Sequence, residues 1–387
     1  MRARKECCGH SPEILHCVQD DDLHGRLKTY KIYVFMKKVY LLFSLLAILV
    51  FTGASCISLK GSSETSGTGG VFKSIDKAEK WQQKIAVSSV KGNVNIANVD
   101  VSVLVFDPQD SKTIYLGTAN NGLLYTLDGA ESWQRVAGLA SGKVNDIVVD
   151  SKNKCAIYAA VGNKILKTID CARSWQATYV DSRAEGVITT MATDLDNPSV
   201  IYAGLATGDL LKSVDSGASW LVANRFDSGL VKILVDKKDR KIVYAGTTKD
   251  GIFKSIDAGK TWVDLTPKLK EFKGAKTVRN MVSDLSKDNT FLADTKYGMI
   301  KTTDGGETWQ AMNLLTPSGD VQIYSLAINP KNGNEIYYGT SSTIYKSVDG
   351  GASWVTKKMP TARAASYLLV DPNEGNIVYL GTLTIKK

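Results

Sequence analysis

Histidine is almost missing. The chain has 387 residues and three histidines, His10, His16 and His24, all within its first 35 residues. Beyond that stretch no Ser-His-Asp or Cys-His catalytic set and no histidine-ligated zinc site can be assembled. Cysteine is sparse too, and three of the six, Cys7, Cys8 and Cys17, share the same stretch. No apolar run is long enough for a comfortable bilayer span of about 20 residues; the best candidate is the mostly apolar segment Val39 to Gly53.

That segment has a meaning of its own. Met36-Lys37-Lys38 precedes it and Gly53-Ala54-Ser55-Cys56 follows, the basic, apolar and small-residue layout of a secretory signal. The run ending in cysteine resembles the lipobox of bacterial lipoproteins, which implies that Cys56 is the lipidated first residue of an extracytoplasmic, membrane-anchored protein. Gly53 stands where leucine is usual, so cleavage without lipidation and retention as an uncleaved anchor stay open. Residues 1–35 fit no targeting scheme, and Met36 is expected to be the true start. The expected organisation is a non-structural extension over 1–35, a signal peptide over 36–55, Cys56 with a Gly/Ser/Thr-rich flexible tether over 56–70, and a folded domain over 71–387. The whole chain carries 48 Lys/Arg against 39 Asp/Glu, a net +9; without residues 1–55 this falls to 40 against 34, a modest +6.

Seven tryptophans each close one pattern, Ser/Thr-x-Asp-x-Gly/Ala-x-Ser/Thr/Lys-Trp. Asp215 with Trp220, Asp257 with Trp262, Asp304 with Trp309 and Asp349 with Trp354 belong to full copies. Asp128 with Trp133 and Asp170 with Trp175 carry Ala130 and Ala172 in place of glycine, and Asp76 with Trp81 has Ala78 and Lys80 out of pattern. Successive tryptophans lie 52, 42, 45, 42, 47 and 45 residues apart, the period of a four-stranded propeller blade.

One unit reads as four strands: 230–235, 242–247, 251–255 and 261–264, with a Lys/Asp/Arg turn between the first two. The second strand recurs as Tyr115-Leu116-Gly117, Tyr202-Ala203-Gly204, Tyr337-Tyr338-Gly339 and Tyr379-Leu380-Gly381. Residues 366–382 supply only the first two strands of a unit and residues 70–83 only the last two. The expectation is an all-β, seven-bladed propeller of four-stranded antiparallel blades, closed by a composite blade from both chain ends, which removes exposed sheet edges.

These repeats resemble Asp-box propellers, the group that includes sialidases, sortilin-type receptors, xyloglucanases and photosystem II stability and assembly factors. The aspartates suit a tight third-to-fourth strand turn, accepting hydrogen bonds from turn amides beside a residue of positive φ. The tryptophans suit burial at a blade edge with the indole N–H satisfied nearby. The aspartates belong to separate blades, so no shared metal site is expected, and no cofactor. Cys155 and Cys171, placed at the opening of a second strand and just past the end of a third, can face one another; a cross-strand disulfide and two free, buried thiols both remain open.

The sialidase resemblance implies an Arg-Ile-Pro motif, which is absent; the xyloglucanase resemblance implies a carboxylate pair between two propellers, and this chain has residues for one. First-to-second and third-to-fourth turns share one face, leaving the other to the inter-blade and second-to-third loops. Those loops hold Arg135, Lys143, Arg183, Arg225, Lys357, Lys358 and Arg363, and the insertion 267–279 adds Lys268, Lys270, Lys273, Lys276 and Arg279. A basic face is expected to bind an acidic protein or other acidic surface, or a glycan, in a monomer, with nucleic acid excluded on the outer side of a membrane. Assembly factors of similar build bind protein intermediates, which is what that resemblance implies here. The alternative is a carbohydrate-binding or glycoside-cleaving propeller.

Overall fold

A computed structural model describes residues 68–88, 94–316, 319 and 321–385. The extension, the signal segment, Cys56 and nearly all of the tether lie outside the described residues. Among the described residues there are seven four-stranded antiparallel sheets and two short 3-10 turns, Ala137–Leu139 and Thr266–Leu269. No described helix is long and apolar enough to cross a membrane.

Blade 4 shows the build. Its strands are Leu230–Val235, Val243–Thr247, Ile252–Ser255 and Val263–Asp264, nearly as alternation and turn residues mark them, with the fourth shorter than expected. The second strand is buried throughout because both of its faces meet neighbouring blades, so it is apolar or small at every position and does not alternate. Blades 1, 2, 3, 5 and 6 repeat this, with first strands Val101–Asp107, Val144–Val149, Ile188–Thr193, Val278–Ser283 and Ser325–Asn329. Blade 7 is the composite: Ala364–Val370 and Val378–Leu383 come from the end of the described chain, Val71–Ser74 and Gln82–Gln83 from its beginning. The seam pairs Phe72 with Leu380 and Lys73 with Tyr379. Each first strand contacts the first strand of the next blade around a closed ring, so the expected seven-bladed closure is the observed one.

Seven hydrophobic clusters fill the blade interfaces, and each holds one of the seven tryptophans. Trp133 sits wholly buried between blades 7 and 1, and Trp309 packs edge-on against Phe291 between blades 4 and 5. The indole N–H is not always satisfied as expected. Trp133 donates to the Lys84 carbonyl at 2.9 Å, Trp262 to Gly259 and Trp309 to Gly306 at 3.2 Å each, and Trp220 to Thr178 Oγ1 at 3.4 Å. Trp81, Trp175 and Trp354 have no partner, because the large apolar area, rather than the single donor, sets the ring position at a blade edge.

Four of the seven blades are also latched to the next by a tyrosine and a lysine that share one acceptor. Tyr244 of a second strand and Lys254 opposite it in the third both donate to the Gly305 carbonyl of the following blade, at 3.3 and 2.9 Å. Tyr202 with Lys212 on Ala258, Tyr158 with Lys167 on Ser216, and Tyr379 with Lys73 on Gly129 repeat the arrangement. The accepting residue is the fourth of the repeated aspartate turn, so the turn that closes one blade also receives its neighbour. In six first strands the register shifts within the first residues of the strand, as between Leu230 and Lys232 or Val278 and Asn280. Such a bulge bends the strand and re-aims its side chain, here toward the ring's interior. Ser102, Asn145 and Thr189, at the extra position, each reach the following blade's first strand, donating to Val144, Ile188 and Leu230 carbonyls at 2.5, 2.8 and 2.6 Å.

Candidate functional site

The repeated turns are closed circuits. In residues 213–220 the Ser213 hydroxyl donates to Asp215 Oδ1 at 2.7 Å and accepts the Gly217 amide at 2.8 Å; Asp215 then accepts the Ser219 amide on Oδ1 at 2.9 Å and the Ser219 hydroxyl on Oδ2 at 2.5 Å. The circuit recurs around Asp128, Asp170, Asp257, Asp304 and Asp349. Around Asp76 the Lys80 amide is held but no hydroxyl completes it. The hydroxyl and amide of Ser219 hold Asp215 at about 2, so the carboxylate is ionised and committed to its own turn. Ala78, Ala130 and Ala172 adopt φ of 68, 73 and 67°, the left-handed conformation that glycine takes in the other copies. Among the described residues no group of three or more His, Cys, Asp or Glu could hold a metal ion.

The expected basic residues divide into two sets. Arg183 and Arg225 are not turned to an outside partner. Arg183 donates to both Asp181 oxygens at 2.9 and 2.8 Å and to Asp209 at 2.5 Å, and Arg225 reaches Asp209 at 3.0 Å. Arg183 keeps Asp181 well below the usual carboxylate range; burial pushes Asp209 up, and Arg183 outweighs it. Arg363 pairs with Asp100 at 3.2 Å. Lys268 and Lys357 leave the loop face altogether, pairing with Glu307 and Glu79 in the aspartate turns of the following blades. Lys357 stands in an outer strand and Lys268 in the 3-10 turn that follows one, and both reach across the blade boundary. Five of the twelve residues expected on the basic face are therefore paired within the fold.

What stays positive is one sector of the rim. Lys270, Lys273 and Lys276 of the insertion are exposed, and the fold sets Lys249 and Lys296 beside them. Gly251 N donates to the Lys276 carbonyl and Lys296 N to the Thr277 carbonyl, both at 2.9 Å, so the insertion lies between the second-to-third turns of blades 4 and 5. Phe272 anchors it edge-on against Tyr297, with ring centres 5.3 Å apart. None of these five lysines is in an ion pair among the described residues. Lys249 and Lys296 were invisible in sequence because each stands alone in a short turn of a separate blade. Arg135 and Lys143 are exposed elsewhere on the ring, and Lys358 belongs to an outer strand.

The axis holds a cavity of about 190 Å³ lined by Ser102, Lys232, Asn280, Ser325, Ser366 and Tyr367, with Val282, Leu326 and Leu368 as its apolar wall. These residues come from the first strands of five blades, which only the central space can border at once. Asp146 keeps Lys232 protonated, raising it against burial. Asp294, in the second strand of blade 5, stands where the other blades have Gly117, Ala160, Gly204, Gly246, Gly339 and Gly381. It is 1% exposed and neither carboxylate oxygen has a hydrogen-bond partner. Burial lifts it to about 7, with Arg279 opposing.

The structure joins Cys155 and Cys171 by a disulfide spanning 16 residues. Cys155 lies in the turn ahead of the second strand, which opens only at Ile157, and Cys171 is an exposed residue of positive φ in its aspartate turn. A pair of buried thiols is not what this geometry holds.

No protein-family profile matches the chain. The oligoxyloglucan-reducing end-specific xyloglucanase of Emericella nidulans is 30% identical over 81 residues, 19% of this chain and 10% of that enzyme. A Neosartorya fischeri protein described as the same enzyme is 33% identical over 70 residues, 18% and 8%. The chain therefore spans a small fraction of the curated relatives it matches. Among solved structures, the GH74 xyloglucanase from Xanthomonas campestris aligns with TM-score 0.61 at 16% identity, over 78% of this chain and 52% of that one. YCF48 bound to D1 peptide aligns with TM-score 0.56, also at 16% identity, over 77% of this chain and 99% of that one. At such identities the likeness establishes the propeller fold and nothing finer.

Proposed function

We propose that this chain is a non-catalytic Asp-box propeller, tethered through Cys56 on the extracytoplasmic side of a membrane, that binds an acidic protein partner on the rim of blades 4 and 5. The observation that carries this reading is the cluster of Lys249, Lys270, Lys273, Lys276 and Lys296, exposed and without ion pairs, while Arg183, Arg225, Lys268 and Lys357 are neutralised within the fold. The five lysines outnumber the acidic residues of the same segments, Glu271 and Asp250, and an excess of like charge costs self-repulsion and attracts an opposite surface. The solved YCF48 bound to D1 peptide aligns over 99% of its own length and 77% of this chain, which supports a protein-binding reading. An exposed disulfide accords with an oxidising compartment.

Crosslinking in native membranes tests it. Lys270→Glu, Lys273→Glu and Lys276→Glu together are expected to remove a stoichiometric protein adduct that wild type forms and that weakens as salt is raised. An adduct of unchanged yield in the triple variant overturns the rim as the docking site.

The short stretches shared with xyloglucanases favour a second reading, glycoside cleavage. Such chemistry takes two carboxyl groups roughly 5–9 Å apart, one of them a proton donor. Asp181 and Asp209, at the loop end of blades 2 and 3, are held ionised by Arg183, and Asp294, which does hold a proton near neutrality, is buried. Turnover of xyloglucan oligosaccharides that is lost in Asp294→Asn would overturn the non-catalytic reading.

A further inference from the structure

We propose that Asp294 makes partner binding at the lysine rim sensitive to pH: with its carboxyl protonated the rim keeps its binding form, and ionisation loosens the rim and offsets part of its positive charge. This control rests on the rim as the docking site. Asp294 is the last residue but one of the strand Phe291–Thr295. The turn that follows, Lys296-Tyr297-Gly298, carries one lysine of the rim and the ring that anchors the insertion. The Lys296 amide donates to the Thr277 carbonyl at 2.9 Å, one residue past Lys276. A carboxyl with both oxygens buried and unpartnered thus stands two residues from the contact that joins the insertion to blade 5.

The elements around Asp294 give its ionised form little support. Leu292, on the same face of the strand, packs with Met299 and Ile323 in the core between blades 5 and 6, so the carboxyl is turned to that interface. Its cross-strand neighbours are Asn280 and Met299, and Asn280 spends its side-chain oxygen on the Met281 amide at 2.8 Å. Arg279 is the cation that acts on it, but burial outweighs that attraction and lifts the carboxyl to about 7. Lys301, in the third strand, sends its ammonium to the Gly350 carbonyl at 3.4 Å. From blade 6 the segment Ile323-Tyr324-Ser325 brings no ionised group. A buried carboxylate without a partner either keeps its proton or gains water and a cation. Below the folded value Asp294 keeps the proton and the end of its strand stays closed. Above it, the backbone that moves to admit water or Arg279 is the backbone that carries Lys296. The other six blades have glycine or alanine at this position, so the response belongs to blade 5, where the insertion sits.

Two readouts on the full chain in detergent test the switch. Poly-L-aspartate serves as the acidic probe, because its carboxylates and the rim lysines keep their charges between about pH 6 and 8. Wild type is expected to bind it about three- to tenfold more weakly at the higher pH, and Asp294→Asn equally at both. His10, His16 and His24 titrate in the same window but are retained in the variant, so the difference between the two proteins isolates Asp294. Hydrogen exchange, corrected for its intrinsic pH dependence, reads the loosening without any ligand. The Lys296 amide is expected to lose protection about threefold or more across that window in wild type only. The corresponding amide of blade 4, Thr248, which donates to Gly229 at 2.9 Å, should not change. Equal pH dependence of Lys296 exchange in wild type and Asp294→Asn would sink the switch. Probe binding that the triple Lys→Glu variant loses, but that does not vary with pH in wild type, would remove the switch and leave the rim standing. Failure to bind the probe at either pH would remove the rim and the regulated partner together.

Discussion

At the residue scale the anomaly is Asp294. Six blades place glycine or alanine at its position, and a side chain added to Gly246 or Gly204 would press on the first strand of the next blade, 2.7–2.9 Å from its nearest atoms. Blade 5 admits a carboxyl there and leaves it unpartnered. Its folded pKa, about 7, lies above the ordinary 3.8. Between those values the folded state holds a proton that the unfolded state has released, so stability falls as pH rises through that window and levels off above it. Asp294→Asn keeps the shape and removes the titration. Urea unfolding from pH 4 to 8 is expected to show the variant gaining on wild type, on the order of 3 kcal/mol by pH 8; parallel curves would contradict the buried, unpaired state. The aspartates of the turns behave oppositely. Asp215 is held at about 2, so its contribution is present above the unfolded value and lost as pH falls through the folded one. Asp215→Ala is expected to speed hydrogen exchange of the Ser219 amide it accepts, with the distant blades unchanged.

At the scale of elements, a tyrosine–lysine latch adds to the apolar contacts at four of the seven blade interfaces. The tyrosines were visible in sequence as a recurring second-strand mark, yet the mark carried no partner. Alternation tells which face of a strand a residue occupies, whereas the acceptor carbonyl sits in another blade, 61 residues on for Tyr244 and Gly305. Tyr244→Phe and Lys254→Met are each expected to cost about 0.5–1.5 kcal/mol in thermal unfolding. Because both donate to one carbonyl, the double variant should depart from additivity; strict additivity would mean the shared acceptor is not what couples them. The Cys155–Cys171 bridge belongs to this scale as well. It closes a loop of 16 residues across one hairpin, and Cys171→Ser is expected to cost about 3 kcal/mol under non-reducing conditions. Equal unfolding midpoints for wild type and variant would exclude a bridge in solution.

For the molecule as a whole, stability rests on closure. The seam is four residue pairs between Val71–Ser74 and Val378–Leu383, and the cores on either side of blade 7 draw on both chain ends. Removing residues 378–387 is expected to open the seam, expose the edge of the first described strand and replace one cooperative unfolding transition with a broader one at lower temperature. A truncated chain that unfolds as sharply as wild type would mean the ring does not need its clasp.

Fold and function were legible to different depths. Seven tryptophans at blade spacing, the aspartate turns and the half-units at the two ends determined an all-β ring of seven blades, because the local hydrogen-bond circuits and the period are properties of short segments. Charge at the loop ends was not legible in that way. Arg183 and Arg225 looked available until the fold set Asp209 between them, and Lys249 and Lys296 looked isolated until it set them beside the insertion. The axial cavity and the solitude of Asp294 belong wholly to the tertiary structure, since each is made where strands from separate blades converge, and a one-dimensional pattern holds no distance across a ring.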